Sequence, residues 1–350
     1  MTEMQPGLFG LNKSNRDFTQ KEAWGKNQFN SSFPAALCCY LASKKIAANY
    51  LCVDHGRFTQ TFTAIDQVFG IDPLGGQIYF AFEAQHSPYQ HFLVGVLPRT
   101  DLVIQRADTG ECLAGLEVKL TALPDNTTCD LPEQDYGSEI VVRPDTIAYL
   151  ACSVASGLKD NLAENIPEFD LLDWTQPKEI LAEIPVLIET VEKISFRLEA
   201  QQKPFLIQPV WKTVGKSPEL AENCLDVFVW SDAAFCYFIS QIASRNKDAN
   251  GINRQTRTAV WLCKMLHDIK KNGRFNHGQI VDSLSYNTKN DKAFASAGNI
   301  TNKYMRCGRL KMPAITKQEI RNIILGGGQN LLSPERRFDA IIFNSPGLFS

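Results

Sequence analysis

The sequence predicts an α/β protein: a mixed central β-sheet flanked by helices, followed by a basic, mostly helical C-terminal part. Three observations predict it. Strand-like apolar runs bounded by turn residues alternate with stretches of 3.6-residue periodicity. One pair of runs, 98–106 and 111–120, is joined by Asp108-Thr109-Gly110, which suits a three-residue hairpin loop with glycine in the left-handed position. Charge is strongly segregated along the chain, as counted below.

The elements follow in order. Ser31-Ser32-Phe33-Pro34 sets a capping serine before a first-turn proline, so a helix is expected to about Ala48. Thr61 to Phe69 reads as a second, short helix. Gln77–Ala84 and Phe92–Leu97 read as strands, and the hairpin comes next. Glu139–Val142 is a short strand, Pro144–Ser156 a helix, and Lys178–Gln201 a longer amphipathic helix. Leu225–Trp230 is strand-like, and Ser231 caps a helix reaching about Ser244. Gln255–Lys271 is helical, with Val260, Trp261, Met265, Leu266 and Ile269 on its buried side. Gly326-Gly327-Gly328 precedes a final strand, Phe338–Phe343. The loops at 123–137 and 160–177 are expected to be the most mobile. A division near 215 would separate residues 1–215, with the sheet and N-terminal helices, from a basic part, 216–350; a single domain is the alternative.

Composition excludes several classes. With 350 residues, 44% hydrophobic and 21% charged, the chain has the content of an ordinary globular protein with a sizeable core. Its start carries no basic segment followed by an apolar one, so no signal peptide is expected. The most apolar early stretch, Ala35 to Val53, is interrupted by Lys44-Lys45 and does not suit a membrane span. Ten cysteines contain no C-x-x-C, which fits reduced thiols in a cytoplasm rather than a zinc ribbon. No G-x-x-x-x-G-K-[ST] phosphate loop occurs, which argues against a nucleotide hydrolase.

The net charge of -2 conceals two opposed regions. Residues 120–200 hold 16 acidic and 5 basic residues, a balance of -11. Residues 245–311 hold 14 basic and 4 acidic residues, a balance of +10. A basic block within a near-neutral chain is the footprint of a nucleic-acid surface. Arg254, Arg257, Lys264 and Lys271 recur on or near one helical face with His267. Arg274, Lys303, Arg306 and Arg309 follow among asparagines and aromatics, side chains that meet phosphates and base edges. These eight are the candidate DNA-binding residues.

The hairpin carries the chemistry. If Thr109 is its apex, residues whose numbers sum to 218 face each other, so Asp101 lies opposite Glu117. Directly opposed residues share a sheet face, and Lys119 falls on that face by the period of two. Two carboxylates and an ammonium at one spot suit phosphodiester hydrolysis. Hard oxygen ligands from Asp101 and Glu117 would hold Mg²⁺, which activates water and neutralises phosphate charge. Lys119 would orient or deprotonate the attacking water, or stabilise transition-state charge. Glu83, ending the preceding strand, is a further candidate metal ligand. Asp268-Ile269-Lys270 has the same spacing but lies in a helical pattern, where residues two apart do not face each other.

Asp101 with Glu117-Val118-Lys119 resembles the PD-(D/E)XK nuclease pattern, departing from it in that Pro98 stands three residues before Asp101 rather than adjacent. The stretches Pro6-Gly7-Leu8-Phe9-Gly10-Leu11-Asn12-Lys13-Ser14-Asn15-Arg16-Asp17-Phe18 and Leu116-Glu117-Val118-Lys119-Leu120-Thr121-Ala122-Leu123-Pro124-Asp125 are similar to the HindVP-like family of type II restriction endonucleases. That resemblance implies a PD-(D/E)XK restriction-endonuclease-like core in residues 1–215. It also implies Mg²⁺-dependent cleavage of double-stranded DNA at a short palindrome, GRCGYC, in defence against foreign DNA, beside a companion methyltransferase. A palindromic target implies a homodimer, since two-fold DNA is read by a two-fold protein. The alternative reading is a sequence-specific DNA-binding regulator without catalysis.

Overall fold

The computed structural model describes residues 14–15, 35, 42, 45, 48–54, 57–63, 71–120, 140–199, 205–209, 212–214, 217–219, 226–229, 232–244, 251–286 and 294–296. Its strands begin with β1 (Ala48–Asp54) and β2 (Arg57–Thr63), then β3 (Ile78–Ala84), β4 (Thr100–Arg106), β5 (Cys112–Leu116), β6 (Val118–Leu120) and β7 (Ile140–Val142). Helix α1 (Pro144–Leu158), a short α2 (Leu162–Asn165) and α3 (Pro177–Glu199) follow. Strands β8 (Phe205–Pro209), β9 (Lys212–Val214), β10 (Ser217–Glu219) and β11 (Asp226–Val229) lead to α4 (Asp232–Ser244), α5 (Arg254–Asn272), α6 (His277–Ser283) and β12 (Phe294–Ser296).

The hairpin forms where the turn chemistry placed it. Gly110 adopts φ 71°, a left-handed conformation that costs glycine little, and its N–H donates to the Arg106 carbonyl at 2.9 Å. Leu102 pairs with Leu116, Val103 with Gly115 and Ile104 with Ala114, all summing to 218. A bulge between Ile104 and Gln105 then shifts the register by one. Strand β3 completes a three-stranded antiparallel sheet in the order β3-β4-β5. Asn15 reinforces β3: its amide donates to the Phe82 carbonyl at 2.9 Å and accepts from the Phe82 N–H at 2.8 Å.

The sheet expectation requires correction. Instead of one mixed sheet, the described strands form this three-stranded sheet, a five-stranded sheet in the order β2-β1-β8-β11-β6, and two small ladders. Every described strand pairing is antiparallel; the two isolated bridges, Ser14–Phe80 and Leu93–Phe275, are parallel. The second arm of the hairpin also divides. It stays beside β4 to Leu116, then crosses to the larger sheet, where Val118–Leu120 pairs with β11. Strands β6 and β11, on either side of residue 215, share that sheet.

Local expectations differ in two further places. Thr61–Thr63 ends a β-strand rather than starting a helix, because Arg57–Thr63 pairs along its length with β1. Ser87–Phe92 is a 3-10 helix with proline in its first turn, and the following segment carries only the bridge from Leu93, so Phe92–Leu97 is no strand. The segment 160–177 is well anchored. Glu179 accepts the N–H groups of Leu172 and Asp173 at 2.9 Å each, and Phe169 and Trp174 pack against the core. The expected glycine run, the strand 338–343 and the loop 123–137 lie outside the described residues, as does most of the first expected helix.

Helices α1, α3, α4 and α5 bury most of the core, with α5 packed against the other three. Its ends are specified by sequence. Asn253 accepts the Thr256 N–H at 2.9 Å, and Gly273 at φ 75° donates to the Ile269 carbonyl at 2.8 Å. Val260, Trp261, Met265, Leu266 and Ile269 are buried, as the periodicity requires. Helix α1 begins with Pro144 and buries ten of its fifteen residues, which is the pattern of a helix enclosed on most sides. It packs behind the open end of the hairpin.

Candidate active site

Three acidic residues stand near the open end of the hairpin. Phe82 pairs with Leu102 and Ala84 with Thr100, so Glu83 lies between those pairs on the strand beside Asp101. The ladder of the two hairpin arms ends with Leu102 and Leu116, and Glu117 follows immediately beyond β5. Glu83 has φ 49° and its own pair is missing from the ladder. A left-handed conformation at a residue other than glycine costs on the order of 1–3 kcal/mol and persists only where surrounding structure enforces it. Glu83 is exposed, and Asp101 and Glu117 are half-buried.

Glu117 sits at the crossing between the two sheets and belongs to neither flanking strand. Its carboxylate is held from two elements. The Thr100 hydroxyl donates to Oε2 at 3.1 Å and the Thr146 hydroxyl to Oε1 at 3.1 Å, while Thr100 also donates to the Leu116 carbonyl at 2.9 Å. These side-chain bonds hold the Glu117 carboxylate toward Thr100 and α1. Lys119 occupies the next strand, with Phe228 of β11 as its backbone partner.

Behind Glu117 lies a small cleft lined by Gly115, Glu117, Thr146, Tyr149, Leu150, Asp232 and Phe235. Asp232 begins α4 and accepts the Ser153 hydroxyl at 2.6 Å; Ser153 in turn accepts the Tyr89 hydroxyl at 3.2 Å. Tyr149 is 4% exposed, its hydroxyl has no partner at ordinary hydrogen-bond geometry, and Thr100 lies near enough to draw its pKa down somewhat. Burial pushes the Tyr149 phenol well above its ordinary range, and Tyr89, Asp232 and Glu117 push it further. The Tyr149 hydroxyl rests against Gly115, where no side chain fits: an added Cβ would overlap it and come within 3.2 Å of His86 Cγ. His86 is buried, edge-on to Tyr89 at 4.5 Å between ring centroids, and burial lowers its pKa.

None of Thr100, Thr146, Tyr149, Ser153 or Asp232 was singled out by the motif. A signal was present in α1, where 146, 149 and 153 have the i, i+3, i+7 spacing of one helix face. They make a polar stripe on an otherwise buried helix.

Asp101 on β4 and Glu117 just beyond β5 are carboxylates, the hard oxygen donors of which Mg²⁺ takes one or two while keeping several waters. Among the described residues no group of three acidic, histidine or cysteine side chains is arranged to hold a metal.

The basic helix is placed differently from expectation. Arg257 is 3% exposed, donates from Nη1 to the Ser285 carbonyl at 3.2 Å, and lies 4.9 Å over the Trp261 ring. Lys264 pairs with Asp268 and lies 5.6 Å over Trp174. His267 packs against Phe169 and Trp174. The reason is the 166–176 segment and residues 284–286, which cover this face of α5, so Arg257 and Lys264 are corrected from free basic side chains to packed ones. Lys271 and Arg274 are exposed at the end of α5. The side chain of Arg254, and Lys303, Arg306 and Arg309, lie outside the described residues.

Among the described residues no helix is long and apolar enough to cross a membrane. No solved structure matches this chain. A protein from Haemophilus influenzae described as a probable type II restriction enzyme HindVP is 54% identical over 349 residues, covering 99% of this chain and 96% of the relative. The type II restriction enzyme HgiDI of Herpetosiphon aurantiacus is 45% identical over 350 residues, covering 99% and 97%. The family model described as HindVP restriction endonuclease matches residues 24–349, and with both relatives aligned nearly end to end, the chain belongs to the HindVP restriction endonuclease family.

Proposed function

We propose that this chain is a Mg²⁺-dependent type II site-specific deoxyribonuclease, cutting double-stranded DNA at a short palindrome and acting in the cytoplasm against foreign DNA. The observation that carries this reading is family membership over residues 24–349. The hairpin register, continued one step past Leu102 and Leu116, would bring Asp101 and Glu117 together at its open end, which is where this reading puts the chemistry. In this reading the core is of PD-(D/E)XK type and works as a homodimer on a site such as GRCGYC, protected in the host by a methyltransferase.

Asp101 and Glu117 would hold the cation, with Glu83 adjoining. When bound, Mg²⁺ supplies an activated water and neutralises charge on the phosphate. Thr100 and Thr146 fix the Glu117 carboxylate by one hydrogen bond to each oxygen, so its orientation is set before substrate arrives. Lys119, two residues beyond Glu117, supplies the ammonium that orients or deprotonates the attacking water or stabilises transition-state charge. Exposed Lys271 and Arg274 would meet phosphates.

Digestion of a plasmid of known sequence, with Mg²⁺ and with EDTA, beside Asp101→Ala, tests the reading. Discrete fragments that require Mg²⁺ and disappear in the variant are expected, and their sequenced ends define the site. Sequence-dependent binding without any cleavage would instead favour the regulator. Glu117→Gln and Lys119→Ala should fold and bind the site yet fail to cut; normal cutting by either would overturn that residue's role.

A further inference from the structure

The geometry points to Asp232 as a further metal-holding carboxylate, lining the same cleft as Glu117. The inference rests on the reading that Glu117 holds a divalent cation, and it adds a ligand from the start of α4, more than a hundred residues beyond the hairpin.

Three observations carry it. Glu117 and Asp232 line the same cleft, which has a volume of about 20 Å³, enough for one water-sized occupant, since a water needs ~10–15 Å³. Tyr149 lines that cleft too, 4% exposed and with its hydroxyl unpartnered. A buried hydroxyl without a bond costs roughly 1–3 kcal/mol, and an ion seated between the two carboxylates would take the hydroxyl oxygen as a ligand. Finally, Asp232 is oriented: Tyr89 donates to Ser153 and Ser153 to Asp232 Oδ2 at 2.6 Å. Hydroxyl partners of this kind typically stand behind ligating carboxylates.

Hydroxyl bonds to Glu117 come from Thr100 and Thr146, and to Asp232 from Ser153. The stripe of Thr146, Tyr149 and Ser153 on α1 thus serves both carboxylates at once. The competing explanation of Asp232 is local: an acidic residue in the first turn of α4 favours the helix without any ligand.

The test is direct ion binding to the DNA-free protein, with Tb³⁺ as the probe and its emission excited through tyrosine. Tb³⁺ prefers oxygen ligands, and Tyr149 lies on the cleft; Mg²⁺ should displace it. Asp232→Asn and Asp232→Ser should weaken Tb³⁺ binding by ~10–100-fold, while the melting temperature stays near that of the parent protein. The serine variant keeps an oxygen suited to the start of the helix, so a purely local role would leave its ion binding unchanged. Unchanged binding in both, with binding lost in Glu117→Gln, would overturn the role of Asp232 and leave the Glu117 reading standing. Unchanged binding in Glu117→Gln would remove that reading as well. If both Asp232 variants fail to fold, Tyr149→Phe decides: sensitised emission should fall sharply, and full emission would refute an ion in this cleft.

Discussion

Gly115→Ala is the substitution for which the structure and general expectation give opposite signs. Gly115 does not occupy the left-handed region, so alanine suits its backbone, and restricting the unfolded chain would by itself stabilise by about 0.4–1 kcal/mol. The added Cβ, however, would overlap the Tyr149 hydroxyl and lie 3.0 Å from Tyr149 Cζ and 3.2 Å from His86 Cγ. Both neighbours are buried and cannot simply swing into solvent. Overpacking of this kind costs about 1–3 kcal/mol, which outweighs the entropic gain. Urea unfolding should therefore show a net loss on the order of 1–2 kcal/mol. In a Tyr149→Phe background the worst overlap is gone but the ring contact remains, so the loss should shrink without vanishing, with a coupling of roughly 0.5–1 kcal/mol. Cleavage should fall more than DNA binding, because Glu117 lies two residues along the chain, just beyond the end of the same strand. Gly115→Ala protein that is as stable as the parent and cuts normally would refute the packing of Tyr149 on Gly115.

Arg257→Ala should cost roughly 2 kcal/mol of stability, from a buried charged hydrogen bond and its cation–π contact, with the salt dependence of DNA binding unchanged. A flattened salt slope at full stability would return Arg257 to the DNA surface. Replacing both Lys271 and Arg274 by alanine should weaken DNA binding and lower the salt slope by up to about 2; an unchanged slope would place the contact elsewhere. Burial lowers the pKa of His86 and His267 below the ordinary 6.5. The unfolded chain then binds more protons, so stability is full above about 6.5 and is lost as pH falls through that value toward the folded-state pKa. Melting temperature should drop between pH 7.5 and 5.5, less steeply in His86→Gln; a rise on acidification would contradict the burial.

Much of the site's frame was legible in the chain. Asp108-Thr109-Gly110 specified the turn, and the turn specified a register summing to 218, which holds for Leu102–Leu116, Val103–Gly115 and Ile104–Ala114. Helix α5 spans the expected Gln255–Lys271 within two residues, because its periodicity is local, and Asn253 and Gly273 cap it. The exit of the second arm after Leu116 was not legible. A strand that stays beside β4 and one that crosses to β11 have the same alternation, and only the distant partner decides between them. The misreading of Thr61–Thr63 as helix has the same origin, since β1 supplies the pairing that fixes it as strand.

The charge block shows the boundary between the two kinds of information most clearly. Sequence counted the basic residues and their helical spacing correctly. Whether Arg257 faces DNA or Trp261 depended on the 166–176 segment and residues 284–286 folding over α5. The sequence by itself determined the turn and register of the hairpin, the span of α5 and the family. Tertiary structure alone decided that Glu117 is bonded by Thr100 and Thr146, that Tyr149 fills the space over Gly115, and that Asp232 shares its cleft. Turns, caps and periodicity are local and leave marks a few residues apart, whereas a site assembled from β4, β5, α1 and α4 is made by packing, which leaves no spacing to read.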